Sequence, residues 1–210
     1  MRRRQVDVPE SADQVSRRTL LTSTGLGVAA LGLLGAGQTV GWIEPLARIV
    51  PRDRAVGPQG LPVNRTAAQA GVTTAAIDPA WRLLVRTPTA STSFSRESLL
   101  AMPQSRSALP IACVEGWSAD GVWDGVALRD LLVAAGASPG SRLRLTSLER
   151  DGAYTVTEMP GEYAADPLTL VALALGGRPL HVEHGYPARV IAPGRPGVLQ
   201  TKWLSSVEVL

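Results

Sequence analysis

A single cysteine, Cys113, stands in a chain of 210 residues. That count rules out an intramolecular disulfide, so the fold must be held by its core rather than by covalent staples. It also excludes a c-type haem attachment site and a cysteine-rich iron–sulfur site, so neither haem nor an iron–sulfur cluster is expected as a resident group. Hydrophobic residues make up 45% of the sequence, enough for a substantial core in one domain with an appendage. Cys113 ends an apolar run, Ser107 to Ala112, that enters by way of Pro110 and is followed by a turn at Gly116. A cysteine at the end of a buried strand is well placed to face a cofactor or substrate, although a lone cysteine is more often a small buried apolar residue.

The net charge of +3 misleads. Residues 1–18 hold five arginines and three acids, and the remainder is nearly balanced, with 16 basic and 15 acidic residues. No nucleic-acid footprint is expected on the folded part. From Thr19 an uncharged run rich in Gly, Ala, Leu and Thr continues to Ile43. At about 25 residues it is long enough to span a bilayer. With Ser16-Arg17-Arg18 before it, it resembles a twin-arginine export signal, a route that carries folded proteins. The expected organisation is a signal or anchor over 1–43, a linker and extended arm over 44–80, and a domain over 81–210 to which the arm from about 57 contributes. The expected location is extracytoplasmic, at the periplasm or outer membrane face, tethered through residues 19–43.

Along the domain, Trp81, Leu83 and Val85 alternate onto one side of a strand. Ser95 caps a short helix from Arg96 to Met102, ended by Pro103. Val126 to Ala135 has a helical apolar face, with Gly136 as its stop. Residues 142–148 alternate strictly, and Ala153 to Glu158 form another strand. Asp166-Pro167 has the form of an N-cap with proline at the first helical position. Leu170 to Leu175, Gly176-Gly177 and Arg178 to Leu180 spell strand, tight turn and return. Arg189 to Ala192 and Lys202 to Val209 close the sheet. The expected class is α+β, strand-rich, with few and short helices.

The Cys113 stretch, then Trp123-Asp124-Gly125-Val126 with Leu128, then His184-Gly185-Tyr186-Pro187-Ala188-Arg189, then Lys202-Trp203, occur in an order that resembles the oxidoreductase molybdopterin-binding domain of the sulfite oxidase fold. The resemblance covers about residues 57–210. It implies one molybdenum–molybdopterin group, with Cys113 as the thiolate ligand of the metal and the catalytic residue. A soft, electron-donating thiolate tunes the metal while leaving an edge for oxygen-atom transfer. By family position, His184 and Arg189 contact the pterin, Gln200, Thr201 and Lys202 lie along its phosphate tail, and Ser147 sits near the metal. Asn64 is carried over as a contact reaching over the pterin, with Arg65 beside it. Arg195 falls in the same segment, and Gly194 and Gly197 would let backbone approach an anion. Trp117, Trp123 and Trp203 are read first as core packing, and Glu115 as a structural ion pair.

Two departures bear on substrate. Sulfite oxidases place arginines shortly after the ligand cysteine, whereas Val114 to Gly121 contains no basic residue. Sulfoxide-reducing catalytic subunits have asparagine where His184 stands. The layout looks more like those subunits, so the implied substrate is a small-molecule or protein sulfoxide ahead of an oxyanion. Its electrons would be exchanged with a separate membrane haem or quinone protein. The alternatives are a catalytically silent binding or assembly module on the same fold, and a thiol hydrolase pairing Cys113 with His184.

Overall fold

The computed structural model describes residues 57–113 and 117–210. The arginine pair, the uncharged run over 19–43 and Glu115 lie outside the described residues, as does the turn at Gly116. The described residues belong to one compact unit. Its elements are α1 (Thr73–Ala76), β1 (Arg82–Arg86), β2 (Ser91–Ser95), α2 (Arg96–Ala101), β3 (Gln104–Ala112), β4 (Ser118–Ala127), α3 (Leu128–Ala134), β5 (Leu143–Ser147), β6 (Val156–Met159), α4 (Gly161–Ala165), β7 (Leu170–Leu175), β8 (Arg178–Pro179), β9 (Arg189–Ile191) and β10 (Leu204–Val209). Among the described residues, no helix is long and apolar enough to cross a membrane.

The strands form two sheets. One runs β2-β1-β10-β5-β6, and the other β3-β4-β7-β8 with β9 also on β7. Only the β1–β10 pairing is parallel. The alternating residues of 142–148 behave as their pattern requires: Leu143 and Leu145 are fully buried, and the intervening Arg144 and Thr146 are not. The apolar run of β7 has a different cause. Val171 and Leu173 pack into the main core, which also takes Leu83, Leu145 and Val207, while Leu170, Ala172 and Leu175 pack into a second cluster with Trp123 and Ile111. A strand covered on both faces cannot alternate.

Ser95 caps α2 as its sequence implies, accepting a hydrogen bond from the Ser98 amide at 3.0 Å. Several elements differ from the sequence reading. The helix expected from Val126 begins only at Leu128, because Val126 and Ala127 stay paired with Val171 and Leu170 on β7. Asp166-Pro167 does not start a helix. Asp166 ends α4, and its carbonyl and carboxylate accept from the amides of Thr169 and Leu168, making a turn into β7. The serine-rich β2 carries little apolar signal of its own and is fixed by pairing along β1, Phe94 opposite Leu83.

Gly125 explains the Trp-Asp-Gly-Val motif. The β4–β7 register shifts between Asp124 and Gly125. A Cβ there would overlap the Val171 carbonyl oxygen and stand 2.7 Å from the Ala172 Cα, so any side chain would push β4 off β7. The close approach buries Trp123 completely, and its indole donates to the Leu109 carbonyl at 3.0 Å. That bond ties the middle of β4 to the strand that delivers Cys113.

The arm is part of the fold. Leu61 joins the second apolar cluster, and Ala67, Ala70, Val72 and Ala76 pack around Trp203. The Gln59 side chain donates to the Leu175 and Pro179 carbonyls and accepts from the His181 amide at 2.7 Å. These contacts fix residues 57–72 across the C-terminal ends of several strands.

Candidate active site

A cleft of about 170 Å³ opens where the arm, the end of β3, the end of β5 and the segment 183–203 meet. Cys113 lies on it, half-buried, one residue past β3. Its amide is tied to the Trp117 carbonyl at 2.8 Å, closing a short loop. The Asn64 amide nitrogen donates to the Cys113 sulfur at 2.7 Å, and the Trp117 indole donates to the Asn64 oxygen at 3.1 Å. The indole therefore fixes which way the Asn64 amide points: its oxygen is occupied, so its N–H faces the sulfur.

Opposite, β9 begins with Arg189, whose side chain is buried against the Trp123 ring, 5.0 Å from its centroid. The guanidinium donates to the carbonyls of His184 at 3.1 Å and Gln200 at 3.4 Å, and its Nε has no hydrogen-bond partner among the described residues. Burial pushes its pKa down. A guanidinium nonetheless stays charged, so the cleft wall holds a buried cation without a carboxylate among the described residues. Lys202 stands nearby, its ammonium donating to the Arg65 carbonyl at 2.6 Å and the Glu183 carbonyl at 3.1 Å. Burial, then repulsion from Arg189, draws its pKa down to about 7, with Glu183 and Glu149 partly opposing.

Gly185 makes this convergence feasible. It takes φ +105, and a Cβ there would press within 3.0 Å of Arg189 and 3.2 Å of Lys202. The preceding turn carries His184, whose ring nitrogen contacts the Pro58 carbonyl of the arm. Burial, the largest effect, depresses His184 to about 4 against the raising effect of that contact, so the imidazole is neutral at pH 7. Trp203 adopts φ +51, an unusual conformation for a non-glycine residue. Its buried indole donates to the Val182 carbonyl at 2.7 Å, and Lys202 sits 4.2 Å from its ring centroid. This backbone reversal keeps Lys202 on the cleft while β10 returns to the sheet.

All nine residues named from the sequence line the cleft: Asn64, Arg65, Cys113, Ser147, His184, Arg189, Gln200, Thr201 and Lys202. Some have local duties there. Ser147 donates to the Lys202 carbonyl at 2.8 Å, Thr201 shares a hydroxyl contact with Thr157 at 3.0 Å, and Arg65 contacts the Glu149 carboxylate. Gln200 donates to the Arg195 carbonyl at 2.7 Å, while its Oε1 has no partner among the described residues. Arg195 does not line the cleft. It is buried, bonded to the carbonyls of Leu199 and Glu158, and set over Tyr163, so it braces the loop. Gly197 lines the cleft and is also pressed by backbone: a Cβ there would come 2.9 Å from the Ala112 carbonyl oxygen, next to Cys113. Trp123 and Trp203 are buried in the core, Trp203 with an edge on the cleft, while Trp117 is half-buried, packing against the second apolar cluster and lining the cleft. Glu149 and Glu183 carried no signal as cleft residues in the sequence, because no local pattern marks a carboxylate that meets a distant arm.

The family model described as the oxidoreductase molybdopterin binding domain matches residues 70–210. The chain belongs to that family. Its curated relatives include sulfite oxidase from Rattus norvegicus, 38% identical over 98 residues, which cover 41% of this chain and 17% of that protein. The uncharacterized oxidoreductase YuiH of Bacillus subtilis is 33% identical over 115 residues, 54% of this chain and 57% of that one. The putative protein-methionine-sulfoxide reductase subunit YedZ1 of Azospira oryzae is 29% identical over 117 residues, 56% and 44%. The matches thus span little more than half of these relatives at most. Among solved structures, the sulfane dehydrogenase SoxCD of Paracoccus pantotrophus superposes with a TM-score of 0.56 at 25% identity, over 64% of this chain and 40% of that one. The fold is the sulfite-oxidase-type molybdopterin fold expected from the sequence, and the family's cofactor is the molybdenum–molybdopterin group.

The residues of this chain suit that group. Among the described residues no cluster of three His, Cys, Asp or Glu side chains could hold a metal alone. One cysteine facing a cleft fits a metal that brings most of its donors with it. The Arg189 Nε and Gln200 Oε1, without hydrogen-bond partners among the described residues, and the Lys202 ammonium are the donor, acceptor and charge that an anionic pterin needs.

The charges of the cleft set a pH dependence. Folded His184 takes its proton near 4 and an unfolded one near 6.5, so the unfolded chain binds more protons in between, and stability rises with pH through that window and is lost as pH drops toward 4. Lys202 acts likewise between about 7 and its ordinary 10.5. Cofactor-free protein is expected to melt about 5 °C lower at pH 5 than at pH 9. Calorimetric melts of His184→Gln should lose the part of this slope between pH 4 and 6.5. An unchanged slope in that variant would mean His184 is not the group responsible.

Proposed function

We propose that this chain is the catalytic module of an exported, membrane-tethered molybdenum–molybdopterin oxidoreductase that moves an oxygen atom on sulfur compounds, reducing sulfoxides in preference to oxidising sulfite. The observation that carries the reading is the placement on one cleft of a cysteine sulfur that accepts from Asn64 and a buried guanidinium, Arg189, without a carboxylate partner among the described residues. When bound, the cofactor supplies two-electron oxygen-atom transfer at molybdenum. Cys113 holds the metal as thiolate. Asn64 donates to the sulfur and limits its rotation, and Trp117 holds Asn64. His184 and Arg189 bind the pterin, and Gln200, Thr201 and Lys202 bind its phosphate tail. Ser147 and the neutral imidazole of His184 offer hydrogen bonds without adding charge.

Sulfoxide reduction is favoured because no basic residue follows Cys113 as far as Gly121, leaving no cation there to grip sulfite. A putative protein-methionine-sulfoxide reductase subunit among the relatives is consistent with this. The Arg17-Arg18 pair and the apolar run over 19–43 motivate export through the twin-arginine machinery and tethering outside the membrane. A membrane haem or quinone protein would exchange the electrons.

The test is metal and pterin analysis of protein from a cofactor-competent host, followed by turnover with a reduced dye and methionine sulfoxide, and with sulfite and an electron acceptor. About one molybdenum per chain is expected, with kcat/KM for the sulfoxide at least about tenfold above that for sulfite. A folded chain without molybdenum would instead indicate a binding or assembly module. Faster sulfite oxidation would reverse the substrate assignment.

A further inference from the structure

The cleft also carries an ion pair, where the arm meets the end of β5. Arg65, on the arm, has its side chain 44% exposed and its Nε against the Glu149 carboxylate, which is only 9% exposed. Glu149 follows β5 and is locked in place. Its amide donates to the Ser147 hydroxyl at 3.1 Å, and the turn at Gly152 folds so closely that a Cβ there would overlap the carboxylate. Glu149 Oε1 has no aligned hydrogen bond among the described residues, so the Arg65 charge is what compensates it. Around the pair, Pro62, Val63, Tyr154 and Val198 line the cleft without charge. Arg189 is buried, and Lys202, half-buried on the same cleft, donates to two backbone carbonyls.

An oxyanion approaching Arg65 meets a cation that is already neutralised, next to a fixed carboxylate that repels it. An uncharged S=O group suffers no such repulsion, and it can still accept from a guanidinium N–H not directed at Glu149. Resting on the reading that the Cys113 cleft is the site of oxygen-atom transfer, we propose that Glu149 is a specificity-determining residue: by neutralising Arg65 at the mouth, it sets the cleft for uncharged oxygen donors and against oxyanions. The carboxylate would thus supply a repulsive element against the wrong substrate class, in addition to whatever attracts the right one.

The experiment is calorimetric titration of the molybdenum-loaded protein with sulfate, a non-reacting oxyanion, with metal content measured on the same samples. Glu149→Gln should bind sulfate about tenfold or more tightly than wild type, since it removes one negative charge and releases one positive charge close to the anion. Glu149→Gln combined with Arg65→Gln should lose that gain. Arg65→Gln alone, which keeps the carboxylate, should bind sulfate more weakly than wild type and stands in should Glu149→Gln fail to fold. Equal affinity in wild type and Glu149→Gln would overturn the proposal. So would a gain that survives in the double variant, because it would then belong to Arg189 and Lys202. Protein lacking molybdenum would instead count against the function proposed above, while the comparison between variants would still be readable.

Discussion

Replacing Cys113 with serine is expected to cut turnover by at least about a thousandfold and to shift the Mo(V) electron paramagnetic resonance signal, with little change in fold stability. Serine is nearly the same size but offers a hard, weakly acidic oxygen in place of a soft thiolate, so the electronic tuning of the metal is lost. Asn64 can donate to an oxygen as it does to the sulfur, so the local geometry should survive. Cys113 is half-buried and lies outside the fully packed core, which holds the expected stability loss to about 1 kcal/mol. Metal content should fall only partly, because Arg189, Lys202 and their neighbours still hold the pterin. Full turnover with an unchanged signal in Cys113→Ser would remove the ligand assignment and with it the catalytic reading of the cleft.

The second large effect should appear at Arg189, and its two readouts should move apart. Arg189→Met keeps most of the side-chain volume against Trp123 but removes a buried charge that has no carboxylate partner. Cofactor-free Arg189→Met is expected to melt no lower than wild type, because relief of the buried charge offsets the hydrogen bonds lost to His184 and Gln200. Cofactor retention should fall by about tenfold or more, as expected when a charged hydrogen bond to an anion is lost. Arg189→Ala should fare worse on both counts, with a cavity beside Trp123 costing about 2–3 kcal/mol. A variant that melts lower without its cofactor yet retains molybdopterin fully would show that Arg189 is a structural brace.

The sequence by itself determined more of the site than of the boundaries around it. Strands such as β5 were legible because one face meets the core and the other meets water, which stamps a period of two on residues 142–148. Ser95 and Gly176-Gly177 were legible because caps and tight turns act through nearest neighbours. The cofactor segment was legible because His184, Gly185 and Arg189 sit within six residues, with Lys202 shortly after.

Tertiary structure decided what depends on remote partners. Val126 and Ala127 have helical spacing but remain in β4, because β7 offers them a ladder. Asp166-Pro167 has the letters of a helix start, yet Asp166 spends its side chain on a turn into β7. That β3 passes against Gly197, leaving no room for a side chain, has no trace in the local sequence. Most telling is the cleft itself. Asn64 reaches Cys113 across 49 positions and Lys202 reaches Arg65 across 137, and neither separation leaves a periodic trace. Local patterns record the contacts a residue makes with its own element. The pairing of Arg65 with Glu149, and the charge it gives the mouth of the cleft, came into being only when the arm closed over the sheet ends.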